Sequence, residues 1–448
     1  MRCLGLLAVA ALLHEGAGST YPAYCAKDMN LNAIQPLKDP SPVELVQVQI
    51  VVRHGARTPC FADVCWKDYD EEWNCNEREI TRPQLGNDVP SVEFTKVFTA
   101  GSNIRRGNCS LGQLIDEGYD QEIANAKHFR DAYVGRKSGL FGASEAIDLT
   151  NSSDIYLESS DIPRTLQSGQ TIISALFPNL VNSKRPVPWR TQDVAVSSIF
   201  PNERICPSLA ALGKEWTTSQ ELRTLQTNPA SLELDLALDE QLVTYSSQSL
   251  YDCLMTSRCT DRDMPLSDEL FHLVTNREEN LAIQQYLFRD SRYAKIGMKS
   301  FLQALVARMQ PNQPRLALYS AHDSSLMAIL AALGGKAWLT EWVPYASHIV
   351  FEVYRTKTSR HVVRVLYQGQ PLFLGSCTSE LCPVEELISI VDAMPSCLLE
   401  DPTNEFAKVK HMPMMLMLVT GIVVGGAVGF IVARRYFSAR KQQYHRLD

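Results

Sequence analysis

The stretch VELVQVQIVVRHGARTPC, residues 43–60, decides how this chain is read. Val43–Val52 is rich in β-branched residues and partly alternates, so it predicts a strand. The strand runs into Arg53-His54-Gly55, where a loop must begin. Arg53, His54 and Arg57 then crowd three candidate cations at one strand end. Like charges held that close repel, so an anion is expected between them. The bland alternative is a turn that carries surface cations.

Working outward, residues 60–110 are rich in turn formers and hold Cys60, Cys65, Cys75 and Cys109, the pattern of a disulfide-laced surface region. Leu111–Val134 has helical spacing. Ser153–Leu157 predicts a short strand, and Pro163-Arg164-Thr165 opens an apolar-periodic helix through Ala175. Residues 200–280 are polar and helical without strand signals, which marks an inserted cap. Ala282–Met309 predicts a long helix and Arg315–Ser320 a strand. His322-Asp323 sits at that strand's end, before a helix over Ser324–Leu333. His348–Arg355 and His361–Tyr367 alternate as a hairpin at a sheet edge. Strands alternating with helices predict an α/β sheet with helices on both faces. Ligands collect at the carboxyl ends of strands in such sheets. The ends at Arg53-His54, Asp161-Arg164 and His322-Asp323 should therefore converge.

Arg53, Arg57 and Arg164 match the oxygens of a tetrahedral phosphate, because a guanidinium fork binds such oxygens bidentately. A neutral imidazole among arginines is a competent nucleophile toward phosphorus, since the cations disfavour its protonation. On this reading His54 is the nucleophile and His322 a further phosphate donor. Asp323, the one carboxylate of the set, is the acid for the leaving oxygen. The competing reading makes His322-Asp323 a helix cap. There is no HExxH, no EF-hand loop and no carboxylate cluster, so the expectation is chemistry without metal or other cofactor. His128 and His348 lack a partner motif and read as structural or surface residues.

Arg53-His54-Gly55-Ala56-Arg57-Thr58-Pro59 resembles the RHGxRxP signature of the histidine acid phosphatases. SSDIPRTLQSG (159–169) is similar to the family segment with the third phosphate-binding arginine, here Arg164. YSAHDSS (319–325) resembles its HD motif; VPYASH (343–348) and CTSELCP (377–383) are similar to later segments. The resemblance spans roughly residues 43–400. It implies a mixed α/β sheet flanked by helices, of the phosphoglycerate mutase-like kind, with a smaller, mostly helical cap. It also implies two-step phosphomonoester hydrolysis through a phosphohistidine on His54, with Arg53, Arg57, Arg164 and His322 on the phosphate and Asp323 as proton donor. It suggests Cys206–Cys397 and Cys377–Cys382 disulfides and makes a homodimer plausible. The pairing of Cys25, Cys60, Cys65, Cys75, Cys109, Cys253 and Cys259 stays open. Glu158 stands where most relatives would have arginine. Rival readings are a phytase-like or lipid-phosphate phosphatase, mutase-type phosphoryl transfer, and an inactive receptor ectodomain on the same fold.

The ends of the 448-residue chain differ from its middle. Met1-Arg2, the apolar Leu4–Leu13 and the small residues Gly16–Ser19 form a signal-peptide pattern over residues 1–19. Residues 412–433 carry no charge and match the length of a transmembrane helix. Arg434 and Arg435 follow, which predicts a cytoplasmic tail over residues 434–448 and a lumenal domain over residues 20–411. The tail holds five basic side chains and one acidic, hence +4; with −7 overall, the preceding residues carry −11. That acidity argues against a nucleic-acid partner. Twelve cysteines in a secretory chain imply disulfides, and removing Cys3 with the signal leaves an odd one. Asn108 and Asn151 head glycosylation sequons, the first unfavoured if Cys109 is bridged. Tyr444 and Leu447 have the spacing of a tyrosine sorting signal for clathrin adaptors. The alternative is a basic tail resting on anionic lipid. The expectation is a single-pass type I protein of endosome, lysosome and cell surface.

Overall fold

In the computed structural model, β-branched residues of the Val43–Arg53 strand alternate between two cores. Val51 packs into a cluster with Phe301, Leu302, Leu326 and Leu330; Val48, Ile50 and Val52 pack with Phe129, Ile172 and Leu176. The sheet is therefore buried on both faces, which accounts for a nearly continuous apolar run. The structure describes residues 21–39 and 43–397, apart from 64, 77–79, 82–93, 100–102, 135–139, 142–148, 150–153, 179–185, 243–244, 246 and 311–312. The signal peptide, Asn151, the 412–433 segment and Tyr444 and Leu447 of the tail lie outside the described residues. Among the described residues no helix is long and apolar enough to cross a membrane.

The main sheet is mixed. Val43–Arg53 pairs in parallel with Leu316–Ala321, which pairs in parallel with Ile155–Ser160, and that strand with Arg190–Gln192. On its other side Val43–Arg53 pairs antiparallel with His348–Thr356, followed outward by His361–Tyr367 and Gln370–Leu372. The hairpin expected at an edge is thus interior. Its first strand lies against the signature strand, and its second is bordered by Gln370–Leu372 and Cys382–Pro383.

The described helices are α1 (Asp116–Phe129), α2 (Pro163–Leu176), α3 (Pro207–Thr217), α4 (Gln220–Thr227), α5 (Pro229–Leu242), α6 (Ser247–Cys259), α7 (Asp268–Ala307), α8 (Asp323–Gly334) and α9 (Val384–Ala393). Helix α1 starts at Asp116, five residues later than the spacing at Leu111 implies. Helix α7 starts fourteen residues earlier than expected and is broken inside: Phe288 is extended, and Arg289, Asp290 and Ser291 have φ of 53°, 56° and 57°. Three consecutive left-handed non-glycine residues are costly, roughly 1–2 kcal/mol each. The apolar pattern runs through the break without a glycine or proline, so nothing in the sequence marks it. Leu270, Phe271 and Val274 near the start of α7 join the cap core, whereas Ala282, Ile283, Tyr286 and Leu287, still before the break, pack on the main core, as do Ala294, Met298 and Phe301 after it.

The cap has its own core, including Leu234, Leu238, Leu250, Leu254, Phe271 and Val274, with Tyr24, Cys25 and Trp66 packed into it. Among the described residues there are five disulfides: Cys25–Cys259, Cys65–Cys253, Cys75–Cys109, Cys206–Cys397 and Cys377–Cys382. Cys60 is free. Asn108 lies beside the bridged Cys109, and its Oδ1 accepts from Cys75 N–H at 2.7 Å. The first two disulfides fasten α6 to the N-terminal segment and to the loop after the signature. The Cys65–Cys253 bond spans 188 residues; a loop that long implies stabilisation of roughly 4–5 kcal/mol on the chain-entropy account. A Cys65→Ser/Cys253→Ser variant should melt at lower temperature and lose substrate affinity before turnover, because α6 also carries pocket residues. An unchanged KM would show that α6 holds its place without this bond.

Candidate active site

Three parallel strand ends meet at one edge of the sheet, with Arg53 in register with Ala321 and Ser159 with Ser320. The residues that follow therefore share a pocket of about 360 Å³. His54, Arg57, Arg164, His322 and Asp323 line it, together with Cys60, Asp252 and an apolar and aromatic set: Tyr24, Phe61, Ile162, Phe200, Tyr251 and Trp342.

The loop after Arg53 is fixed by its backbone. Arg53 N–H donates to Ser347 O, and His54 N–H to Ala321 O. Gly55 N–H donates to Ser168 Oγ at 3.2 Å and Ala56 N–H to Gln121 Oε1 at 2.8 Å. The glycine is required by close approach: a Cβ at Gly55 would fall 2.3 Å from Gly118 O at the start of α1.

His54 is buried, and its Nδ1 lies 2.9 Å from Gly55 O. A carbonyl only accepts, so Nδ1 carries the proton and Nε2 keeps its lone pair. Burial pushes its pKa well below the usual histidine value, and Arg164, Arg53 and Arg57 push it further. This neutral imidazole with a free Nε2 can attack an electrophile.

Two arginines meet the pocket directly. Arg57 Nη1 binds Asp252 Oδ1 at 2.7 Å, and its Nε has no partner. Arg164 makes no hydrogen bond within the described residues; its buried Nε is unpartnered, and burial followed by Arg57's charge lowers its pKa to about 10. An unpaired, desolvated guanidinium is costly unless an anion joins it.

Arg53 and His322, both expected on the phosphate, make further contacts of their own. Arg53 lies behind the pocket, fully buried. Its Nη1 donates to Val343 O at 2.6 Å, and its Nη2 to Tyr24 Oη at 2.7 Å and Asp323 Oδ2 at 2.9 Å. Only Nε remains free, so Arg53 chiefly holds Asp323. His322 has its Nε2 2.7 Å from Ser160 Oγ, which lies 2.8 Å from Thr165 Oγ1. Thr165 donates to the Ser160 and Ile162 carbonyls, so the chain of hydrogen bonds runs from His322 Nε2–H to Ser160 to Thr165. The N–H expected on phosphate is thus committed to Ser160. Burial, then Arg164, lowers the His322 pKa and keeps the ring neutral.

Asp323 is not the sole carboxylate. Asp252 of α6 faces Arg57, and its Oδ2 accepts from Cys60 N–H at 2.8 Å. Asp323 Oδ1 accepts from Ser324 N–H at 2.8 Å, and Oδ2 from Trp342 Nε1–H at 3.1 Å. Burial alone would raise its pKa; Arg53, Arg57 and the indole N–H outweigh that and lower it. Asp252, Tyr251 and Trp342 carry no motif, and the only local signal near the first two is the adjoining Cys253. Glu158 lies outside the pocket, where it accepts from Tyr156 Oη at 2.7 Å. His348 is buried against Phe129, and His128 Nε2 lies 2.9 Å from Met29 O. Both are structural.

Residues 44–368 match the histidine phosphatase superfamily (branch 2). The chain belongs to that family. Counting factor 60 of Dictyostelium discoideum is 29% identical over 76% of this chain and 84% of that protein. Lysophosphatidic acid phosphatase type 6 of Bos taurus is 24% identical over 78% and 83%. The phytase of Hafnia alvei in its apo form shares the fold, with a TM-score of 0.52 at 14% identity over 79% of this chain and 98% of its own. The family and its phosphatase relatives make this a phosphatase of the same superfamily.

Proposed function

We propose that this histidine phosphatase is an acid phosphatase that hydrolyses phosphomonoesters in two steps through a phosphohistidine, without a metal. His54 Nε2 attacks phosphorus, the P–O ester bond breaks, and Asp323 gives its proton to the leaving oxygen. Asp323 then takes a proton from water, the water oxygen attacks phosphorus, the P–N bond breaks, and inorganic phosphate leaves. Arg57 and Arg164 hold the phosphoryl oxygens throughout. The observation that carries this is His54 itself: Nδ1–H is held by Gly55 O, and burial, with Arg164, Arg53 and Arg57 nearby, keeps Nε2 unprotonated.

Acidity is the test. An ordinary histidine of pKa about 6.5 would be protonated roughly thirty to one at pH 5 and useless as a nucleophile. The depressed pKa of His54 moves that loss to lower pH, so kcat/KM for p-nitrophenyl phosphate should hold below pH 5. An acid limb centred near pH 6.5 would overturn the assignment. Hydrolysis should also survive EDTA.

A phytase reading is the second candidate, given the fold shared with phytases. The pocket argues against it. Among the described residues, no arginine or lysine beyond Arg57 and Arg164 lines it, while six apolar or aromatic side chains do. A polyphosphorylated ring needs cations for its other phosphates, whereas a monoester with an uncharged organic group does not.

In this reading residues 20–411 face the lumen or cell exterior, residues 412–433 cross the membrane, and the tail uses Tyr444 and Leu447 to cycle between surface and endosomes or lysosomes. Five disulfides support an oxidising compartment. Tyr444→Ala should raise the surface pool in a biotinylation assay; an unchanged distribution removes the sorting role.

A further inference from the structure

Asp252 is a pocket carboxylate with no part in the reaction proposed above. It lies on α6 of the cap and lines the pocket beside the phosphate-holding arginines. Both its oxygens are committed: Oδ1 accepts from Arg57 Nη1 at 2.7 Å and Oδ2 from Cys60 N–H at 2.8 Å. The two charged side chains are only 7% and 8% exposed. The pair is therefore shielded from the water that weakens surface ion pairs. A carboxylate is an odd choice beside an anionic substrate, since it repels the phosphate, and its presence calls for a reason.

The guanidinium of Arg57 is fixed at one end. Nη1 donates to Asp252 and also to Thr58 O at 3.0 Å. Nε is sealed off without a partner, whereas Nη2 has no hydrogen bond among the described residues and is not sealed. Nη2 is thus the end left to meet an oxygen in the pocket that Arg57 lines. The backbone beneath is set from the other side: Arg57 bridges to Leu114, and Thr58 N–H donates to Gln113 O at 2.9 Å. That anchorage leaves the long side chain free to change rotamer. Asp252 removes this freedom, from a helix itself held by Cys65–Cys253 and Cys25–Cys259. It also keeps the guanidinium charged: burial works against that charge, and the carboxylate outweighs it.

We propose that Asp252 is a positioning residue, the cap's contribution to phosphoryl transfer, which acts by aiming Arg57 at the phosphoryl oxygens. This rests on the phosphomonoesterase reading and deepens it, because it makes the cap a part of the phosphate site and not only a cover over the leaving group. A charge-assisted hydrogen bond fixes direction as well as distance. An arginine held in this way needs no reorganisation as charge develops on phosphorus.

The test uses the full-length protein in detergent, with p-nitrophenyl phosphate as substrate and inorganic phosphate and vanadate as inhibitors. Vanadate takes the five-coordinate geometry of a phosphoryl group in flight, so it reports how well the oxygens are met there. Asp252→Ala should lower kcat/KM by about 10²-fold, the cost of a small misplacement in an active site. Vanadate inhibition should weaken relative to phosphate inhibition by about the same factor. The ratio cancels the gain that both anions draw from loss of a like charge. Asp252→Asn offers Nη1 a neutral, weaker acceptor, and should stay within about tenfold of wild type, with a correspondingly smaller shift in the ratio. In an Arg57→Ala background no guanidinium is left to aim, so Asp252→Ala should cost less than about threefold more. A full further loss in that background would overturn the inference. So would wild-type rates in Asp252→Ala, or a lower rate per mole of protein with both inhibition constants unchanged, the mark of a merely structural role. Should the alanine variants melt far below wild type, Asp252→Asn decides: an unshifted ratio overturns the inference. Wild-type protein that hydrolyses no phosphomonoester would remove the phosphatase reading, and this inference with it.

Discussion

His54→Ala is expected to remove turnover, by on the order of 10⁴-fold or more, while the protein still folds and still binds phosphate. Loss of a nucleophile in a site that acts as a unit typically costs that much or more. The fold should survive because, among the described residues, the imidazole makes one hydrogen bond, with Gly55 O, and the loop is anchored by backbone N–H groups bonded to Ser347, Ala321, Ser168 and Gln121. Phosphate binding should persist because Arg57 and Arg164 remain, and a desolvated guanidinium still needs an anion. Three measurements check this: steady-state hydrolysis, inhibition or binding by inorganic phosphate, and trapping of labelled phosphoenzyme by alkaline quench of the wild type. A phosphoramidate should be acid-labile and alkali-stable, and absent from the variant. Residual activity near the wild-type rate would place the nucleophile elsewhere. A variant that melts far below wild type would call for His54→Asn as the second probe, since it fills more of the site and restores no imidazole.

The site residues that were legible in the sequence are those that chain connectivity makes local. Arg53, His54 and Arg57 follow one strand, Arg164 opens the helix after another, and His322 and Asp323 follow a third. Parallel pairing brings those ends together without further information. The illegible part comes from the cap. Asp252 meets Arg57 across 195 residues, and Tyr251 and Trp342 stack on each other across a sequence gap about half as long. No periodicity encodes such contacts. The same holds for Cys25–Cys259 and Cys65–Cys253, because cysteine counts leave pairings undetermined. Arg53 and His322 were expected on phosphate from their strand-end positions and the family resemblance. Neither signal reveals their contacts with Val343, Tyr24 and Asp323, and with Ser160, because buried polar groups are satisfied by whatever lies within reach. The break in α7 was invisible for another reason: residues on both sides of Phe288–Ser291 pack on the main core, no glycine or proline marks the spot, and only the backbone angles reveal it.

Asp323→Asn should slow hydrolysis of a poor leaving group by about 10²–10⁴-fold, the usual contribution of a general acid. An alkyl phosphate leaves as a strongly basic alkoxide and needs that proton as its bond breaks. p-Nitrophenolate is a weak base and leaves largely unaided, so its loss should be much smaller. The Asp323 pKa is held low in the free enzyme mainly because Arg53 and Arg57 overcome the effect of burial. A phosphate dianion in the pocket offsets Arg57's charge, which raises the carboxyl pKa and loads the proton only when substrate is present. The free enzyme therefore keeps an ionised carboxylate, and the bound complex acquires an acid. Asparagine cannot copy this, and its geometry is imperfect too. Oδ2 accepts from both Arg53 Nη2 and Trp342 Nε1, while Oδ1 accepts from Ser324 N–H. An amide has one acceptor end, so its NH₂ must face a donor on one side, most cheaply Ser324 N–H. Modest destabilisation is expected for that reason. Inorganic phosphate, however, should bind as tightly as before or more tightly, because an anion has left the pocket. The decisive measurement is the ratio of losses on an alkyl phosphate and p-nitrophenyl phosphate. Equal losses would make Asp323 a structural partner of Arg53, and the proton for the leaving group would have to come from elsewhere in the pocket.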